Sequence, residues 1–158
     1  MKNIKNTLSV MVVIVMFLTM SFSCEDVFPR ISIGIINNSS HDIQYLTTIY
    51  EPEGLIYPDT ILPLSLSPPF SLSKSNSSSY LDFNMKGRDL FSGIPSDTLS
   101  IFIFHPDTLA LYDWETIRTD YKILIRYDLS YKDLERLDWK VFYPPNDEMD
   151  GIKMFPNE

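Results

Sequence analysis

The chain has 158 residues, room for one domain and a tail, and its 44% hydrophobic and 13% aromatic content excludes a disordered polymer. Twenty-one acidic against 13 basic residues give a net charge of −8, with no basic stripe to set against it. That balance argues against nucleic acid as a partner and against adhesion to anionic headgroups by charge. A single cysteine rules out an internal disulfide and any zinc site that needs two thiolates.

Lys2 and Lys5 precede an apolar run from Leu8 to Met20, and Ser21-Phe22-Ser23-Cys24 follows. The run has the length of a signal-peptide core and is shorter than the ~20 residues a spanning helix needs. The arrangement resembles the lipobox of bacterial lipoproteins, with Ser23 as the small residue before the thiol and Ser21 where leucine is commonest. The resemblance implies removal of residues 1–23 and a diacylglycerol thioether on Cys24. Ser21-x-Ser23 also suits an ordinary secretory signal, and a retained anchor is a third alternative. The solitary cysteine at this place favours the first. Removing 23 of 158 residues leaves 135, and losing Lys2 and Lys5 takes the charge from −8 to −10. Residues 24–29 read as an acidic tether, in which Glu25 and Asp26 resemble the surface-export signal of lipoproteins in Gram-negative gut commensals.

From residue 30 the chain reads as one β-rich domain to Pro145. Ile31–Ile35 alternates as a half-buried strand, Asn37–Ser40 is a turn, and His41–Tyr50 is a second strand with Ile43, Tyr45, Thr47 and Ile49 on one face. The pair predicts an opening hairpin. Pro52–Pro58 is a loop, and Thr60–Leu66 an edge or irregular segment around Pro63. Six of the nine residues in Ser71–Ser79 are serine, which suits a flexible or edge segment. Tyr80–Phe83 predicts a short strand and Lys86–Phe91 a helical turn. Thr98–Phe104 is apolar on both faces and predicts a central strand that Pro106 ends. Asp113 caps a helix through Thr119, and Tyr121–Tyr127 is strand-like with Ile123 and Ile125 inward. Ser130-Tyr-Lys-Asp133 fits a capping box opening a helix to about Leu137. Trp139, Val141 and Tyr143 alternate in a last strand, and residues 146–158 form a loose acidic tail. The order predicts an antiparallel β-sandwich of immunoglobulin-like or transthyretin-like type with two or three short helices. An open α+β sheet is the alternative.

Tyr127–Leu134, Trp139–Pro144 and Ser96–Phe104 together resemble small uncharacterised surface lipoproteins of Gram-negative gut-commensal bacteria. The resemblance spans about half of the chain beyond Cys24. It implies an outer-membrane location, on the periplasmic face or the cell surface, and assigns no chemistry.

Catalytic and metal signatures are weak. His41 lies in a polar turn and His105 at a strand end, and no Gly-x-Ser-x-Gly elbow accompanies them. Asn146–Gly151 imitates the start of a calcium loop, but its twelfth position would be Asn157 where a bidentate glutamate is needed. The five scattered glycines form no phosphate loop. No catalytic residue, metal ligand or cofactor is therefore assigned. Asp-Thr-aliphatic recurs at Thr60, Thr98 and Thr108. One reading is structural: aspartate closes a turn, then threonine starts a strand. The other is that the triplet resembles an acceptor for O-glycosylation of exported proteins in the same bacterial group, with Thr60 and Thr108, in turns after proline, better placed than Thr98. Trp139 reads as core and Trp114 as the exposed aromatic available to a sugar. The expectation is a non-enzymatic membrane-anchored binding or structural module with a protein or glycan ligand. A glycan-binding accessory lipoprotein is the alternative, and a small carboxylate-dependent hydrolase of glycoside-hydrolase type the third.

Overall fold

A computed structural model describes residues 31–47, 62, 71–94 and 97–156. The expected signal segment (residues 1–23), Cys24, the expected tether (residues 24–29) and Thr60 lie outside the described residues. Among the described residues there are eight strands, β1 (Ile31–Asn37), β2 (Ile43–Thr47), β3 (Ser71–Ser73), β4 (Ser77–Phe83), β5 (Thr98–Phe104), β6 (Ile125–Ser130), β7 (Lys140–Tyr143) and β8 (Lys153–Phe155). Four short helices accompany them there: α1 (Gly87–Ser92), α2 (Pro106–Leu111), α3 (Trp114–Asp120) and α4 (Tyr131–Arg136). The strands build a three-stranded sheet ordered β4-β1-β7 and a five-stranded sheet ordered β3-β2-β5-β6-β8. The result is a β-rich α+β fold of sandwich-like class.

Alternation decides which side chains meet between the sheets. Ile33 and Ile35 of β1, Val141 of β7, Leu99, Ile101 and Ile103 of β5 and Tyr127 of β6 share one core, each fully enclosed. Two tyrosines also tie the layers. Tyr127 Oη donates to the Phe142 carbonyl at 2.9 Å, and Ser79 Oγ donates to Tyr45 Oη at 3.0 Å. A second cluster lies on the other face of the large sheet, where Leu46, Leu62, Phe102, Phe104 and Ile117 meet. The two-faced burial predicted for β5 is thus what the sheet shows: its odd residues feed one core and its phenylalanines the other.

The predicted opening hairpin does not form. β1 pairs with β4 and β7, whereas β2 pairs with β3 and β5. Asn37 explains the split. Its buried side chain accepts from Ser39 N and Ser39 Oγ at 3.0 and 2.6 Å and donates to the carbonyls of His41 and Ser73 at 2.8 and 3.1 Å. The amide therefore turns a corner from one sheet to the other, satisfying backbone groups that a hairpin ladder would have used. The serine-rich segment makes a second such corner: β3 edges the large sheet and β4 the small one, joined at Asn76 with φ 50°.

Other boundaries moved for local reasons. The sheet is not wholly antiparallel, because β7 lies parallel to β1. Pro106 ends β5 but also opens a helix the sequence did not announce, since proline at the first helical position has its φ already set. Strand β6 starts at Ile125 rather than Tyr121, because Tyr121 takes a left-handed conformation as the C-cap of α3. Strand β7 starts at Lys140, after Asp138 and Trp139 both adopt positive φ. Residues 147–156 of the predicted tail are not loose. Met149 is fully buried in a 3-10 turn, and β8 adds to the edge of β6.

Helix caps follow the sequence closely. Ser130 and Asp133 form the complete capping box of α4. Asp113 caps α3, with Oδ1 accepting from Thr116 N at 2.9 Å. Its carboxyl lies below the usual range because of that backbone bond first and the Thr116 hydroxyl second. A carboxylate with a lowered native pKa adds stability that is present above the unfolded value of 3.8 and lost as pH falls through the native one. We therefore expect wild type to lose stability relative to Asp113→Asn between about pH 5 and about pH 2. Paired urea titrations across that window check it; parallel curves would contradict it.

Candidate functional site

Helices α1 and α4 lie side by side at one edge of the sandwich. Leu90 and Phe91 are buried from α1 and Leu134 from α4. Gly87 permits the approach of Trp139: a Cβ there would stand 2.5 Å from both the Trp139 ring and the Ile31 side chain. Three rings then follow edge to face, with Phe91–Tyr131 centroids 5.9 Å apart and Tyr131–Trp139 centroids 5.8 Å apart.

This packing leaves a cleft of about 330 Å³. Phe91 and Tyr131 give it apolar walls, and Ser92, Asp97 and Ser130 add polar groups. Arg88 and Lys132 also line it, both exposed. The Arg88 guanidinium sits 5.8 Å from the centroid of the Tyr131 ring. Tyr131 has a raised phenol pKa, caused first by its hydrogen bond to Glu135, then by burial and the Glu135 charge, with Arg88 opposing. The volume sits at the lower end for ligand pockets, and the mixture of apolar surface with a few charged groups is typical of them.

The two histidines, read separately in the sequence, come together at the ends of the strands. Their ring centroids are 5.0 Å apart, and Tyr143 packs edge-on against His41 at 6.1 Å. His105 Nδ1 accepts from Asp107 N at 3.2 Å and so caps α2. No group of three metal-ligating side chains occurs among the described residues.

Thr98 stands half-buried at the start of β5, opposite Ser130. Thr108 is half-buried in the first turn of α2, so its triplet does not start a strand. Trp114, expected to be exposed, is half-buried instead: it packs on the second cluster, its ring 6.2 Å from that of Phe104. Among the described residues the exposed aromatics are Tyr80 and Tyr112. Sequence reasoning missed the cleft entirely. Its one legible signal was the capping box, which fixes where α4 begins and hence where Tyr131 and Lys132 project.

A small aromatic cleft on a β-rich α+β sandwich defines the class of protein as far as fold and site do. Compared with known proteins, the chain matches no family model, no curated protein and no solved structure.

Proposed function

We propose that the protein is a lipid-anchored binding module of the outer membrane, held by acyl chains on Cys24 and offering the cleft between α1 and α4 to a ligand. The observation that carries the anchor is the single cysteine of the chain, standing directly behind a basic segment and an apolar run. The body is too acidic to adhere to an anionic surface by charge, and no helix among the described residues is long and apolar enough to cross a membrane. One acyl chain anchors only marginally, so stable attachment needs more than one. The non-enzymatic reading rests on the cleft, where an apolar wall and flanking charges suit binding. Cys24→Ala, expressed in a lipoprotein-processing host, is expected to lose acyl labelling and leave the membrane fraction. Persistent labelling would refute the anchor.

A glycan ligand is the second reading, favoured by Tyr80. This residue is 62% exposed on the outer face of the small sheet, with its ring lying over Gly34. A flat ring held on glycine in this way suits stacking against a sugar face. If the reading holds, Tyr80→Ala abolishes whatever sugar-dependent binding a glycan array reveals, while thermal stability changes little. Unaltered array binding by the variant would remove it.

A further inference from the structure

The cleft carries positive charge on an acidic protein, and its surroundings explain why that charge is unspent. Four basic side chains elsewhere are matched with carboxylates, Arg118 with Glu115, Lys122 with Asp120, Arg126 with Asp128 and Lys140 with Asp138. The carboxylate of Asp133 on α4 is already engaged: it takes both the backbone N–H and the hydroxyl of Ser130, at 2.9 and 2.6 Å. Among the described residues, neither Arg88 nor Lys132 forms an ion pair. Among the described lining residues Asp97 is the one carboxylate, so two cations stand against one anion.

We infer that the cleft takes a small organic carboxylate with a flat apolar body, its carboxylate held between Arg88 and Lys132 and its body against Phe91 and Tyr131. The inference rests on the reading of the cleft as the binding site and names the ligand class for it. A guanidinium offers a planar fork of donors that matches a carboxylate two-on-two, and its position over the Tyr131 ring orients that fork at little cost in side-chain freedom. Lys132 adds a point charge. Asp97 disfavours a second negative charge, which selects a monoanion over a polyanion. The volume of about 330 Å³ admits a single substituted ring rather than a polymer segment.

The test uses the full chain in neutral detergent, titrated calorimetrically with phenylacetate, with benzyl alcohol as the neutral probe and phenethylamine as the cationic one. Phenylacetate is expected to saturate at millimolar concentration or below, to weaken with added salt, and to bind more tightly than either control. The Arg88→Gln/Lys132→Gln double variant should raise its Kd by about tenfold or more. Both side chains are exposed, so the variant is expected to fold, and Arg88→Lys with Lys132→Arg supplies a charge-preserving companion that should keep part of the binding. Ser92→Tyr, at an exposed position of the lining, should block all probes that use the cleft. If benzyl alcohol or phenethylamine binds as well as phenylacetate and Ser92→Tyr blocks it, the ligand class is wrong and the site stands. If phenylacetate binds equally to wild type and the double variant, the role of the two cations is overturned. If no probe saturates, both the ligand class and the cleft as binding site fall, while acyl labelling of Cys24 still tests the anchor separately.

Discussion

Replacing Asp128 with alanine is expected to lower the free energy of unfolding by about 3–5 kcal/mol, the cost of breaking a buried ion pair by removing one partner. Arg126 is 1% exposed on the outer face of the large sheet. Its Nε and Nη2 meet Asp128 Oδ1 and Oδ2 at 2.7 and 3.1 Å, and Ser100 Oγ donates to the same Oδ1 at 2.6 Å. Burial alone would lower the guanidinium pKa. The Asp128 hydrogen bond, the nearby Tyr121 hydroxyl and the Asp128 charge outweigh it, and the net shift is upward. Without Asp128, a fixed cation would remain enclosed with its main counter-charge gone. The pair is nevertheless weak evidence of net stabilisation, because two charges had to be desolvated to make it. Arg126→Met with Asp128→Leu should therefore recover most of the loss. Urea unfolding of the single and double variants decides the matter, and a single-variant loss under about 1 kcal/mol would mean that water reaches the guanidinium.

Phe102→Ala should be comparably severe, at about 3–5 kcal/mol. Phe102 is fully buried and central to the second cluster, beside Leu46, Leu62 and Ile117. Its ring also lies 5.4 Å from the Arg126 guanidinium, so truncation removes apolar packing and part of the cover over the ion pair together. The two losses share atoms. Asp128→Ala combined with Phe102→Ala is accordingly expected to cost less than the sum of the single changes. A double-mutant cycle by urea denaturation measures that shortfall, and strict additivity would show the two sites to be independent.

Local signals in the sequence survived where the deciding physics was local. The capping box at Ser130 and Asp133 and the Asp113 cap depend on residues three apart, and both are present as read. Burial of β5 on both faces was also legible, because every residue from Leu99 to Phe104 except Ser100 is apolar and none can face water cheaply. Pairing was a different matter. Turn residues between two strands suggested a hairpin, yet Asn37 spends its side chain on carbonyls from β3 and its flanking turn, a use fixed by residues far along the chain. Alternation from Tyr121 suggested a strand, but that residue's left-handed backbone belongs to the helix before it. The acidic tail looked solvated by composition. Met149 and Ile152 nonetheless fill the core, and β8 finds an open edge at β6.

By itself, then, the sequence determined what depends on spacing: a β-rich chain of short helices and pinned turns, its caps, its central strand, and the cysteine that motivates the proposed anchor. Tertiary structure alone decided which strands pair, that β1 and β7 run parallel, and that His41 meets His105. It also decided that Arg88 and Lys132 converge on one aromatic cleft. Helical and strand periods report neighbours within a few residues, whereas a cleft between two helices is made by the packing of α1 on α4, which no period records.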